Sequence, residues 1–302
     1  MSNSTWSQQI LQLLRRMNNF YLPGSRRSEC LRFEVNGAQV GWVPPHVASV
    51  LTRYPKVFCP PRRGALSLCP SWDSNETRSA AVDSVLRTER QEGSLTCLKG
   101  WRDEKYSVMP KFFDPPLMWM ERAATSLFGV KRYGVHVNGY TIGNSGEVSM
   151  WLARRSLTKQ TYPGLLDNVA AGGIAAGVSI KNTLVKECQE EACIPATLAE
   201  KACPVANVSS GNAQLSTEMK SSQRRVTPTW TRRGCSQKVS LSSIWNFLWT
   251  SSLEQVKELL ATDDFKPNCA MVVLDFLIRH SFIDPDTEPC YQEFVAGLHQ
   301  TL

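Results

Sequence analysis

Residues Gly172 to Ile194 read GGIAAGVSIKNTLVKECQEEACI. A glycine- and alanine-rich passage runs into a stretch with helical periodicity that carries Glu187, Glu190 and Glu191. The offsets i, i+3 and i+4 place all three carboxylates on one helical face. Like charges crowded in this way repel unless a cation neutralises them. Carboxylate oxygens at that density suit a hard divalent ion, Mg²⁺ or Mn²⁺. Taken without context, a solvated acidic helix face is the better explanation of the same residues.

The flanks set the context. Before the glycine-rich passage, YGVHVNGYTI and GEVSMWLARRS are β-rich runs joined across Gly143–Gly146. After it, SLEQVKELLA and the strongly apolar KPNCAMVVLDFLIRH read as helices, and YQEFVAGLHQTL as a last helix. Upstream the pattern differs. Residues 5–20 read as a helix. LRFEVNG and AQVGWV form a hairpin across Asn36-Gly37, followed by the helix HVASVLTRY. Residues 78–91 read as a helix, and MERAATSLFG as another that stops at Gly129. A domain boundary is expected near residue 130, with an α+β domain over 1–130 and a second α/β domain over 131–302.

The stretch resembles the Nudix box, the loop–helix signature of hydrolases acting on nucleoside diphosphates linked to another group. That pattern is Gly, five residues, Glu, seven residues, then Arg-Glu-apolar-any-Glu-Glu-any-Gly-apolar. Gly172 takes the glycine place, Lys186 the arginine place, Glu187 the next glutamate and Cys188 its apolar neighbour. Glu190 and Glu191 take the paired glutamates and Ile194 the closing apolar place. Val178 stands where an earlier Glu belongs, Lys186 replaces Arg, and Cys193 replaces the last Gly. WRDEKYSV, ERAATSLFGV, YGVHVNGYT, WLARRSLTK, YPGLLDNVAAGGIAAG and FKPNCAMVVLDFLIRH extend the likeness to one Nudix subfamily. Its members carry an extra N-terminal domain and are often labelled thiamine pyrophosphokinase-related.

The resemblance implies a Nudix α/β/α sandwich preceded by a small α+β domain. It implies a metal-dependent hydrolase of a small organic diphosphate, with thiamine diphosphate or its oxidised analogues as substrate class. Glu187, Glu190 and Glu191 are then the ligands of Mg²⁺ or Mn²⁺, and Glu187 and Glu190 the catalytic pair. Diphosphate hydrolysis needs an activated water and neutralised charge at phosphorus. Arg154 and Arg155, at the end of a strand, are candidates for gripping phosphate oxygens, with Lys159 as a further cation and Gly172 and Gly173 lining the diphosphate. In a strand only one of the two arginines faces the site. His136 reads as a core histidine. Trp42, Trp101 and Trp119 read first as packing residues, with stacking on a planar ring as the alternative.

Composition bounds the rest. The chain has 302 residues, 42% hydrophobic and 20% charged, with formal net charge +7. That balance excludes wholesale disorder and fibrous repeats. The charge is local. Residues 211–250 hold Lys220, Arg224, Arg225, Arg232, Arg233 and Lys238 against Glu218, which is +5, leaving +2 for all other residues. This segment interrupts the resemblance. A frame change or alternative exon is expected there, with loss of sheet strands and of an acidic stretch that such proteins usually carry. For the segment the alternative is a basic, mostly disordered insertion that binds nucleic acid or an anionic membrane. For the whole chain the second reading is a non-catalytic Nudix-like binding protein, disabled by Val178 and this segment, and the third a nucleic-acid binder.

The 10 cysteines show no CxxC pair and read as small buried hydrophobes of a reducing compartment. Cys269 to Ile278 is too short, and interrupted by Asp275, to span a bilayer. No membrane partner is expected, and the cytoplasm is the expected location. The acid-free, Arg-bearing start before Glu29 also fits a mitochondrial address.

Overall fold

The computed structural model describes residues 3–210, 212–221 and 245–299. The chain divides into two units. One holds residues 20–133 together with 174–178; the other holds residues 1–19, 134–173 and 179–302.

The first helix, α1 (Asn3–Met17), belongs to the second of these units. The sequence placed it in a domain of residues 1–130. Its apolar stripe decides otherwise: Ile10 and Leu14 are buried in one core with residues of the C-terminal helices. Trp6 Nε1 also donates to the Lys257 carbonyl, and Asn18 Nδ2 to that of Gly297.

The unit of residues 20–133 is built on a sheet of β1 (Leu31–Val35), β2 (Ala38–Val43), β3 (Phe58–Arg62) and β4 (Ala65–Leu68), with α2 (Pro45–Leu51) between the two hairpins. The strand order is β2-β1-β4-β3, so β3 is an edge. Asn36 and Gly37 both have positive φ, as the hairpin reading requires. The long helix α3 (Asn75–Glu92) starts at Ser74, whose hydroxyl accepts from the Thr77 amide in a reciprocal cap, and stops at left-handed Gly93. Phe33, Phe58, Leu66, Val82, Leu86 and Phe128 share its core.

β5 (Lys105–Val108) and β6 (Met118–Glu121) pair antiparallel. The expected helix MERAATSLFG is therefore replaced by the end of β6 and a short 3-10 turn over Arg122–Ala124. Glu121 explains the change. Its carboxylate is buried and accepts from the backbone amides of Arg102 and Ala123, which ties the residue to two loops and ends any helix before it starts.

The other unit is organised by β7 (Gly134–Ile142) and β8 (Val148–Arg155), which pair antiparallel only over their joined ends, Gly139–Ile142 with Val148–Trp151. Beyond that point the two strands part. β9 (Leu166–Asp167) fills the gap against β8, and β10 (Ala170–Gly173) fills it against β7. Gly139 sits at the split, where a Cβ would come within 2.9 Å of Val169 Cγ2.

After β10 come α4 (Ile180–Ala192), the short α5 (Ala196–Ala199), β11 (Cys203–Ser210), β12 (Asn212–Ser221) and β13 (Trp245–Ser252). The sheet order is β11-β12-β7-β8-β13. β12 runs parallel to β7, and β13 antiparallel to β8. The expected loss of strands within 211–250 does not occur: backbone pairing along β7 and β8 recruits both ends of that segment. Residues 222–244 lie outside the described residues, and with them Arg224, Arg225, Arg232, Arg233 and Lys238.

α6 (Leu253–Leu260), α7 (Pro267–Arg279) and α8 (Tyr291–Leu298) complete the unit. α7 is buried almost all round, from Cys269 to Leu277, because it lies between the sheet and α1 with α8. Its one acid in that run, Asp275, is paired with Arg279 Nε at 2.8 Å. The unit is thus a mixed α/β sandwich with helices on its sheet.

Candidate active site

The signature stretch folds as strand, loop and helix. β10 lies antiparallel to β7 with Gly172 opposite Val135 and Gly173 opposite Gly134. Gly134 has no room for a side chain, since a Cβ there would meet the Gly172 carbonyl oxygen at 2.9 Å. At Gly172 itself a Cβ would run into the Glu187 carboxylate, so the glycine exists to let that side chain cross the strand. Gly177 has φ +79°, a turn conformation that favours glycine. Ser179 then caps α4, accepting from the Asn182 amide at 3.1 Å.

α4 buries Thr183, Leu184 and Cys188, and Glu187 and Glu191 lie between them on the same face, turned toward β10. The three carboxylates sit in three different environments. Glu190 is half-exposed, 3.7 Å from Lys186 Nζ. Glu187 has only 13% of its side chain exposed and also lies 3.7 Å from Lys186 Nζ. Glu191 reaches back to β10, where its Oε2 accepts from the Ala171 amide at 2.9 Å. Burial pushes the Glu191 carboxyl up to about 8, against that hydrogen bond, and the charges of Asp167 and Glu187 add to the rise. The helix ends at Cys193, which stands in place of the family's glycine and adopts φ +52°. The glycine of the pattern is therefore a left-handed helix terminus, and cysteine occupies it under strain.

Among the described residues, no three His, Cys, Asp or Glu side chains converge into a ready metal cage. Glu187 and Glu190 share Lys186, while Glu191 turns to the Ala171 amide. The donor chemistry nevertheless fits a hard divalent cation. A buried carboxylate whose charge is opposed by neighbouring carboxylates is a place where added positive charge is stabilising.

The cationic candidates divide. Arg155 is only 8% exposed, and its guanidinium is fully engaged. Nη1 binds Asp167 Oδ2 at 2.8 Å, Nε donates to the Tyr162 carbonyl and Nη2 to that of Thr161. This removes it from the expected phosphate grip and makes it the post that holds the loop of residues 156–165. Arg154 donates to the Gly164 carbonyl at 2.7 Å and lies over the Trp249 ring at 6.0 Å. Lys159 lies on the same loop; burial lowers its pKa and the nearby Glu191 carboxylate opposes that shift. A hollow of about 280 Å³ runs along α4, lined by Lys181, Asn182, Val185, Lys186, Gln189, Glu190 and Glu200.

Beneath the site is a buried polar network absent from the sequence expectations. Asp167, 1% exposed at the side chain, takes Arg155 on one side and Lys266 Nζ at 3.1 Å on the other. The Cys269 thiol donates to Asp167 Oδ1 at 2.6 Å. Asn168 joins it, with His136 Nδ1 at 2.9 Å and Asn138 Oδ1 at 2.8 Å. Burial, reinforced by Lys266, pushes His136 down to about 4. Asp167 is held below the usual carboxylate range by Lys266, Cys269 and Arg155, which outweigh its burial. His136 is thus the satisfied core histidine expected. Asp167, Lys266 and Cys269 were missed because about a hundred residues separate the partners.

Two of the three tryptophans named for stacking, Trp42 and Trp101, have side-chain partners of their own in the unit of residues 20–133, and Trp119 lies on β6. Trp42 is covered by Arg27 and edged by Phe20, and Trp101 lies between Arg87 and Arg90.

A glycine loop, a capped helix with three glutamates on one face, and a split mixed sheet define a Nudix-type site. Comparison with known proteins gives the family. The chain is 31% identical over 292 residues to Nudix hydrolase 20, chloroplastic, of Arabidopsis thaliana, covering 93% of this chain and 76% of that one. It is 32% identical over 274 residues to Nudix hydrolase 24, chloroplastic, of the same plant, covering 89% and 73%. The chain belongs to the Nudix hydrolase family. Residues 9–132 match the model of a domain of unknown function, DUF4743. Among solved structures, a protein of Deinococcus radiodurans aligns at 17% identity over 56% of this chain and 97% of its own, with TM-score 0.43. No described helix is long and apolar enough to cross a membrane.

Proposed function

We propose that this Nudix hydrolase is a Mg²⁺- or Mn²⁺-dependent pyrophosphohydrolase of small organic diphosphates, with thiamine diphosphate or its oxidised analogues as substrate class. The observation that carries the reading is the pairing of Glu187, laid across Gly172, with Glu191, clipped to the Ala171 amide. Together they fix the helix to the strand and gather carboxylates around a charge-deficient point. Glu187, Glu190 and Glu191 would hold the divalent ion, which supplies charge neutralisation at the diphosphate and acidifies a water. Glu187 and Glu190 are the groups assigned to proton transfer. Lys159, on the loop that Arg155 holds, would offset negative charge there. Gly172, which lets Glu187 cross the strand, and Gly173 beside it are the glycines that would line the diphosphate. The division that goes with this reading is a catalytic unit of residues 134–173 and 179–302 joined by α1, and a separate unit built on residues 20–133.

The test is release of monophosphate product from a panel of diphosphates, with Mg²⁺ or with chelator. Thiamine diphosphate and its oxidised analogues are expected to lead the panel, with release abolished by chelator. Turnover of nucleoside diphosphate derivatives alone would overturn the substrate class, and unchanged turnover by Glu190→Gln would overturn the site.

A further inference from the structure

Apart from the glutamate site, the structure brings two thiols together in the unit of residues 20–133. Cys59 lies on β3, and Cys69 directly follows β4. Their sulfurs are 3.2 Å apart. The ladder explains the meeting. Phe58 pairs with Leu68 and Cys59 with Ser67, and the Cys69 amide donates to the Val57 carbonyl at 2.9 Å. Cys59 and Cys69 therefore point to the same face as diagonal neighbours across the antiparallel pair. Phe58 and Leu68 point to the opposite face, where both are buried. Both cysteines are partly exposed, unlike the enclosed Cys188 and Cys269.

We propose that Cys59 and Cys69 are a reversible modification site, a dithiol that a low-molecular-weight disulfide converts into an intrachain disulfide. The chemistry is two exchanges. The Cys59 thiolate attacks one sulfur of the small disulfide, whose S–S bond breaks and releases one thiol. Cys69, after losing its proton to solvent, attacks Cys59 Sγ, and the second small thiol leaves as the Cys59–Cys69 bond forms. Two protein thiols are oxidised and one small disulfide is reduced to two thiols. The order follows from the surroundings: burial and the neighbouring Cys59 push the Cys69 thiol up to about 11, and its Sγ already points at the Pro55 carbonyl oxygen at 3.3 Å.

The backbone can accommodate the bond. Diagonal partners in a regular ladder have Cα atoms roughly 7–8 Å apart, beyond the roughly 4.4–6.8 Å a disulfide spans, so the bond requires the strands to draw together slightly. Here the two sulfurs already face each other, and β3 is an edge strand free to draw toward β4. The ladder also shifts register between Cys59 and Arg62, so the strand is already bent at this point. The product clips the edge strand to its neighbour around the left-handed turn Arg63-Gly64.

The experiment uses the full reduced chain. It is exposed to oxidised glutathione, quenched by alkylation at intervals and mapped by peptide mass. A Cys59–Cys69 cross-link, reversed by dithiothreitol, is expected at least about tenfold ahead of any glutathione adduct on Cys30 or Cys97. Repeating the exposure in denaturant is expected to erase that lead. Cys69→Ser is expected to stop at a stable glutathione adduct on Cys59. Accumulation of separate adducts on Cys59 and Cys69 in the unmodified sequence, or a lead unchanged in denaturant, would overturn the proposal even if the serine variant fails to fold.

Discussion

Glu191 and Asp167 are both buried carboxylates of one unit, and their surroundings drive them in opposite directions. Asp167 has two cations, Arg155 and Lys266, and a thiol donor, Cys269. It stays ionised below its usual range. Glu191 has one backbone amide, the Ala171 N–H, and faces the charges of Asp167 and Glu187. Its carboxyl is pushed up to about 8. The first is a closed network that joins β8, β9 and α7. The second has Lys159 as a nearby cation, and burial together with the neighbouring carboxylates outweighs it. Burial alone does not distinguish a structural carboxylate from a functional one; the count of positive partners does.

Substitution of the two acids separates them most sharply. Glu191→Gln removes a proposed metal ligand and should lower metal-dependent turnover by at least about 10–100-fold, the loss that changing even a supporting residue of a metal site brings. The same change should leave metal-free stability little altered near neutrality, where the carboxyl, pushed up to about 8, is protonated, and should raise it at alkaline pH, where a buried charge is removed. Asp167→Asn should do the reverse and cost about 3–5 kcal/mol, since Arg155 and Lys266 are left buried without their counter-charge. Denaturant midpoints and initial rates on both variants check this. A loss of stability in Glu191→Gln as large as in Asp167→Asn would dissolve the distinction.

Acid titration tests the network from another side. His136 is neutral in the folded state down to about pH 4, whereas an unfolded histidine protonates near its ordinary value of 6.5. Between those values the unfolded chain binds more protons, so stability falls as pH falls, by up to about 3 kcal/mol. Glu191 has the opposite slope. Its raised pKa gives stability that is present below its ordinary value of 4.5 and lost as pH rises toward about 8. Asp167, with its lowered pKa, adds its loss only as pH falls below its ordinary value of 3.8. The difference between the parent chain and His136→Gln isolates the histidine. That difference should shrink from pH 6.5 to 4 in urea melts, and a flat difference would show that the network tolerates an imidazolium.

The smallest effect concerns the end of α4. Cys193→Gly should raise stability by about 0.5–1 kcal/mol, because glycine takes the left-handed terminus without strain. It should leave the glutamates in place, with turnover unchanged. Thermal melts and rates on that variant show whether the helix end, as well as its face, sets the site.

The site was legible in the sequence to the extent that its residues are close along the chain. The glycine loop, the Ser179 cap and the offsets of Glu187, Glu190 and Glu191 follow from local periodicity, and α4 forms over Ile180–Ala192 accordingly. The hairpin at Asn36-Gly37 was legible for the same reason, since both residues accept positive φ. Arg155 shows where local reading fails. Its place at a strand end marked it as a phosphate ligand, but a strand pattern does not reveal which face meets Asp167. MERAATSLFG has helix-forming residues, but Glu121 serves two backbone amides from a strand. The basic charge of 211–250 concealed that both ends of the segment pair as strands, because ladder bonds depend on the neighbour more than on side-chain charge.

The sequence by itself determined the family, the carboxylate-bearing helix and the hard-ion character of its donors, all set by spacing within some twenty residues. Tertiary structure alone decided which acids have positive partners. Arg155, Asp167, Lys266 and Cys269 are joined only by the crossing of two strands and a helix, as Cys59 and Cys69 are joined only by the register of a hairpin. Charge compensation and thiol proximity act over a few ångströms in space, and distance along the chain carries no record of either.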